Sequence, residues 1–114
     1  INRGRVLSIA VKQGSVAKQA EGILLNSNVV AAFQTISARD LLIPDKVINS
    51  DVVVCSSNTD AKLVVMSLVE KIADLRAVDG GDLENAGYLE NFTALLLNIN
   101  KIYKAHSSLR ITGI

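Results

Sequence analysis

The chain has 114 residues, 49% of them apolar and 20% charged, with a formal net charge of +1. That is about one domain with enough apolar matter for a core, which argues against disorder, and so small a net charge gives no electrostatic case for nucleic acid. No run reaches the roughly 18 uninterrupted apolar residues of a membrane span, the opening INRGRV lacks the layout of a secretory signal, and a lone cysteine, Cys55, excludes an internal disulfide and points to a reducing, cytoplasmic compartment.

The chain begins with Ile1 rather than Met, so a piece of a longer protein is expected. RVLSIAV (5–11) is continuous and β-branched and reads as a strand. SVAKQAEGILL (15–25) reads as a helix, with Ser15 as N-cap and Val16, Ala20, Ile23 and Leu24 on one face. VVAAFQ (29–34) is a second buried strand, and Ser37 caps a short helix through Leu42 that ends before Pro44. DVVVCS (51–56) is a third strand. A helix from about Thr59 to Ala73 follows, with Ser57 and Asp60 at capping-box spacing ahead of it. Its apolar stripe is Leu63, Met66, Val69 and Ile72, widened by Val64, Val65 and Leu68. LRAVDGG (75–81) is a fourth strand closed by a double glycine, and 82 to 106 is one long helix or two in line.

Strands alternating with helices predict an α/β fold with a largely parallel sheet. The strands are apolar on both faces, as expected where helices cover both sides. In FTALLLNINKIY the residues Leu95, Leu96, Leu97, Ile99, Ile102 and Tyr103 cover more than one stripe. Such a helix is expected to be buried on most sides, against another domain or subunit. No internal repeat, low-complexity segment or flexible linker marks a boundary.

The stretch FQTISARDLL (33–42) raises the question of a site, because Gln34, Thr35 and Ile36 stand where a strand stops. In open α/β sheets ligands bind outside the carboxyl ends of the strands, although a turn before a helix uses the same letters. The glycines at 4, 14, 22, 80, 81, 87 and 113 nowhere have the G-x-G-x-x-G spacing, and no P-loop is present. One His and one Cys do not make a metal cluster. His106 reads as a surface imidazole facing a helix C-terminus, and Cys55 as a small core residue at a strand end. Asn91-Phe92-Thr93 fits a glycosylation sequon by chance, within a helix. In VDGGDLENA (78–86) the Gly-Gly corner resembles an anion site, but Asp79, Asp82 and Glu84 crowd it, so a capped turn with Asp82 as N-cap is preferred. Lys101, Lys104 and Arg110 make the end of the chain basic, either as a solvated face or as a contact for an acidic ligand.

Four pieces occur in order: VVAAFQTISA (29–38), DVVVCSSNTDAKLVVMSLVEKIADLRAVDGGDLENA (51–86), TALLLNIN (93–100) and LRITGI (109–114). Together they resemble the carboxyl-terminal part of the archaeal deazaflavin-dependent NADP reductases (NADPH:coenzyme F-420 oxidoreductases). The resemblance implies that the missing part lies before Ile1. It implies that residues 1–37 are the last strand-helix-strand portion of a Rossmann, dinucleotide-binding domain. Residues 38–114 would then be a small carboxyl-terminal domain that completes the deazaflavin cleft and forms a homodimer through the last long helix. It implies NADP and coenzyme F-420 as cofactors, NADP being held mainly by the missing part, with a hydride passing between the two rings while the protein supplies orientation. Gln34 and Thr35 would hydrogen-bond the deazaflavin edge, Ile36 would pack on its face, and Leu96, Leu97 and Leu109 would close the pocket. The family often has His at Gln34 and Pro at Ser37, a longer Pro-containing loop where this chain has AVKQGS (10–15), Pro at Asp82, Arg at Gly87 and Pro at Ala94.

Three readings stand beside one another: the carboxyl-terminal portion of a deazaflavin-dependent NADP reductase, a related NADP-dependent reductase with another electron partner, and a non-catalytic dimerisation or binding module. Without a glycine-rich turn the chain alone is expected to be inactive.

Overall fold

The computed structural model describes residues 4–114. Its centre is a parallel strand pair, β1 (Ser50–Val54) and β2 (Leu75–Asp79), with Ser50 opposite Leu75 and Val54 opposite Asp79. The crossover between them carries α3 (Thr59–Val69). Because successive side chains of a strand point to opposite faces, Val52 and Val54 enter one cluster with Ile36, Val69 and Leu75. Val53 faces a second cluster made of Ala31, Cys55, Leu83 and Ala86. Both faces of the pair are therefore covered, and the α/β class with a parallel sheet holds.

Only two of the four expected strands form ladders among the described residues. Residues 5–11 pair with no strand, and Leu7 and Ile9 stand exposed. A strand needs a neighbour, and here a side chain takes its place. Asn98 Nδ2 donates to the Val6 carbonyl at 2.8 Å, and Val6 N–H donates to Asn98 Oδ1 at 2.8 Å. Segment 29–34 makes a single antiparallel bridge, Ala31 with Cys55. It stops because Phe33 adopts a φ of 68°, which breaks the extended run.

Helix α1 (Val16–Ile23) is capped as expected, with Ser15 Oγ accepting from Lys18 N–H at 3.0 Å. Its free amides at Val16 and Ala17 donate to the Glu90 carboxylate at 2.8 and 3.1 Å. The predicted apolar face does not pack: Val16, Ile23 and Leu24 are exposed, and Ala17 meets the second cluster instead. Ser37 caps α2 (Ala38–Leu41). In α3 the cap is Asn58, whose Oδ1 accepts from Ala61 N–H at 2.8 Å, rather than Ser57. Val65, Met66 and Val69 of this helix, with Ile72 just after it, face the sheet, while Leu63, Val64 and Leu68 face out.

After β2 the Gly-Gly corner is filled by the protein itself. Asp79 Oδ1 accepts from Gly81 N–H at 2.8 Å, and Asp82 makes no side-chain cap bond. Gly80 is required here, since a Cβ would lie 2.5 Å from both Cys55 Sγ and Val53 Cγ1. A 3-10 turn (Leu83–Asn85) runs into α4 (Ala86–Tyr103). Gly87 lets α4 pass the backbone of Gly14, whose carbonyl a Cβ would meet at 2.9 Å. The expectation of a last helix apolar on most sides is not met. Glu90, Asn98, Asn100 and Lys101 interleave with its apolar residues, Ala86 and Leu96 alone in it are buried, and Tyr88, Leu95 and Ile102 are exposed. Among the described residues no helix is long and apolar enough to cross a membrane.

Candidate functional site

The turn at the end of segment 29–34 is closed by Ile36 N–H donating to the Phe33 carbonyl at 3.2 Å. The positive φ of Phe33 is a strained conformation for a residue with a side chain, and such strain persists only where the surroundings hold it. Here Thr93 of α4 holds it, its hydroxyl donating to the Gln34 carbonyl at 2.8 Å. The turn, the middle of α4 and the chain after α4 enclose a cavity of about 530 Å³, a size suited to a small organic ligand.

Gln34, Thr35, Ile36, Leu96 and Leu97 all line this cavity. Leu109 does not; its carbonyl accepts from Asp51 N–H and from Ser50 Oγ, each at 2.8 Å, so it is tied to the edge of β1. Ile36 is 8% exposed and shared between the cavity wall and the core. Among the described residues no hydrogen bond joins the Gln34 amide or the Thr35 hydroxyl to another protein group, and no fully buried side-chain N or O lacks a partner, so neither polar end is sealed in the core. Sequence reasoning missed Thr93 and Asn100, which share the lining with Leu96 and Leu97. Their spacing of i, i+3, i+4 and i+7 is one helix face and was there to be read.

His106 also lines the cavity, but it does not face a helix end unaided. Its Nδ1 lies 2.9 Å from Asp40 Oδ1, which also accepts from Lys46 Nζ at 2.6 Å. The Lys46 hydrogen bond foremost, and His106 after it, hold the Asp40 carboxyl below the usual aspartate range. Nothing in the sequence announces a contact across 66 positions. A second cavity of about 830 Å³ lies on the other side of Gln34 and Thr93, walled by Ser8–Val11, Gly87 and Glu90. Cys55 is buried, and that burial pushes its thiol pKa up, as fits a core residue rather than a nucleophile. Among the described residues no three His, Cys, Asp or Glu side chains group to hold a metal ion.

The architecture is that of an α/β domain with a ligand-sized cleft at the end of an extended segment. No protein-family model matches the chain. It is 37% identical over 102 residues to an F420-dependent NADP reductase of Methanocaldococcus jannaschii, covering 89% of this chain and 46% of that protein. It is also 37% identical over 117 residues to an F420-dependent NADP reductase of Methanothermobacter thermautotrophicus, covering 100% of this chain and 50% of that protein. A third, from Methanothermobacter marburgensis, is 38% identical over 104 residues, covering 89% of this chain and 46% of that protein. The fold matches, with a TM-score of 0.79 at 19% identity, a crystal structure from Arthrobacter sp. FB24 assigned provisionally as an F420-dependent NADP reductase, covering 90% of this chain and 48% of that one. The chain spans about half the length of the curated relatives it matches. Through that half it is related to the archaeal F420-dependent NADP reductases.

Proposed function

We propose that the chain is the carboxyl-terminal portion of a cytoplasmic oxidoreductase that transfers a hydride between reduced coenzyme F-420 and NADP. One observation carries this reading: in a chain whose relatives are named for that cofactor pair, the turn Gln34–Ile36 and the Leu96–Leu97 face of α4 line one cavity. The residues suit a planar tricyclic ring. Ile36, Leu96 and Leu97 offer apolar faces, and the Gln34 amide and Thr35 hydroxyl offer donors and acceptors at an edge. The bound deazaflavin would supply the hydride chemistry. The chain's own work is to orient the ring and keep water from it.

NADP does not fit this chain alone, since no glycine-rich turn stands before a helix to hold a pyrophosphate. It would be held mainly by protein outside this chain. Residues 1–37 would belong with the dinucleotide-binding Rossmann domain and 38–114 with the small carboxyl-terminal domain. The extended backbone of 5–11, which joins no ladder among the described residues and leaves Leu7 and Ile9 exposed, supports this division. A homodimer would form through the exposed Tyr88, Leu95 and Ile102 of α4, which recur every seven residues.

The test is a titration of coenzyme F-420 against the full-length natural protein, followed by its fluorescence, with NADP reduction followed by absorbance. Binding of F-420, weakened about tenfold in Gln34→Ala as a lost polar contact predicts, supports the reading. NADPH oxidation with a flavin but not with F-420 would favour the other electron partner, the reading that Gln34 in place of the family's His brings into view. No binding of either cofactor would overturn the proposal.

A further inference from the structure

The residues after α4 form a tail that is laid along β1 and locked there. Asp51 is fully buried, and Arg76, its register partner on β2, grips it with both arms of the guanidinium, Nε to Oδ1 at 2.9 Å and Nη2 to Oδ2 at 2.7 Å. The pair does more than join two strands. Arg76 Nη2 also donates to the Ile111 carbonyl at 2.6 Å, and Nη1 to the Ile114 carbonyl at 3.3 Å. Ile111 N–H donates to Asp51 Oδ2 at 2.6 Å, and Asp51 N–H donates to the Leu109 carbonyl at 2.8 Å. A pair of apolar residues would hold the strands together at least as well as a buried ion pair. Only a fork with donors to spare, on a carboxylate with lone pairs to spare, also catches two carbonyls and an amide of a passing chain.

The tail reaches the cavity at once. Ala105, His106 and Ser107 line it, and Ser107 N–H donates to Asn100 Oδ1 at 2.6 Å. A single residue, Ser108, separates this wall from the locked stretch that starts at Leu109. We infer that the Asp51–Arg76 pair is a positioning device for the cavity: by latching residues 109–114 it fixes the wall at 105–107. Its consequence for F-420 rests on the function proposed above; its consequence for the wall does not.

The experiment uses the full-length protein with Arg76→Lys, which keeps the charge and removes the fork. Exchange is read at three amides, those of Ile111, Ser107 and, as a control in the bridge to Ala31, Cys55. The latch predicts exchange about tenfold faster at Ile111 and Ser107 together, Cys55 unchanged. The affinity for F-420 should fall about tenfold, as the loss of one wall contact predicts, with that for NADPH unchanged. Where Arg76→Lys fails to fold, Ile111→Pro leaves the ion pair and removes the tail's amide to Asp51; position 111 then has no amide to read, and exchange about tenfold faster at Ser107, with Cys55 unchanged, is the result expected. Faster exchange at Ile111 with Ser107 still protected would overturn the inference. So would unchanged F-420 affinity with both amides freed. If the wild type binds no F-420, the proposed function fails, and the joint or separate release of the two amides still decides the latch.

Discussion

The hydroxyl of Thr93 stands 2.8 Å from the Gln34 carbonyl and 2.9 Å from the Leu89 carbonyl, so one side chain ties the turn at the cavity to the middle of α4. Thr93→Val keeps the shape and removes the donor. It should cost about 1 kcal/mol of stability and weaken F-420 binding in the full-length protein, with Thr93→Ser restoring both. Thermal unfolding beside a fluorescence titration checks this. Unchanged affinity in the valine variant would mean that the turn is held by its own backbone.

Gly80 and Gly87 are close-approach positions of different kinds. At Gly80 an added methyl would press on Cys55 and Val53 inside the core, and Gly80→Ala should cost about 1–3 kcal/mol by overpacking. At Gly87 alanine gains about 1 kcal/mol of helix propensity. It loses the passage beside the Gly14 carbonyl, so α1 should loosen while β1 and β2 stay firm. Urea unfolding reads the first, and amide exchange along α1 reads the second.

Acid should undo the molecule through its paired carboxylates. The Arg76 hydrogen bond foremost holds the Asp51 carboxyl below its ordinary value of 3.8, and the Lys62 hydrogen bond does the same for Asp79. A carboxyl whose folded pKa is depressed adds stability that is fully present above the unfolded pKa and is lost as pH falls through the folded one. Stability from these groups should therefore hold from neutral pH to about pH 5 and decline below about pH 4. Asp51→Asn should flatten that decline and cost about 1–3 kcal/mol at neutral pH, since it replaces charge-assisted hydrogen bonds to Arg76 by neutral ones. Urea unfolding at stepped pH measures both.

The dimer proposed for α4 places its contact on Tyr88, Leu95 and Ile102, not on the buried Leu96. Leu95→Glu with Ile102→Glu should turn a dimer of the full-length protein into monomers in sedimentation, with F-420 affinity retained. A dimer that survives both charges would move the interface elsewhere.

What the sequence made legible followed from local pattern. Continuous runs such as DVVVC and LRAVD name buried strands, and Ser15 and Ser37 cap where their spacing puts them. The misses share a cause. RVLSIAV has strand letters, but a strand is a property of a pair, and here the Asn98 side chain takes the place of a neighbouring strand at Val6. Leu63, Val64 and Leu68 widen a stripe on paper, yet one sheet face receives only one side of a helix. Of the six site residues, the five on the turn and on α4 converge because each group is contiguous on one element. Leu109 departs because Asp51 and Ser50, far back in the chain, hold its carbonyl.

Four side chains reach back from α4: Glu90, Thr93, Asn98 and Lys101 bind residues 73, 59, 92 and 97 positions earlier. The first third of the chain thus gets its anchors from the last third. Contacts of such separation form slowly, because the loop between them must close first. As the chain is made, residues 5–25 emerge with their exposed leucines and isoleucines and lack these anchors until α4 follows. The interval before α4 exists is the period in which this protein is most open to aggregation, and the time it takes to make α4 sets how long that period lasts.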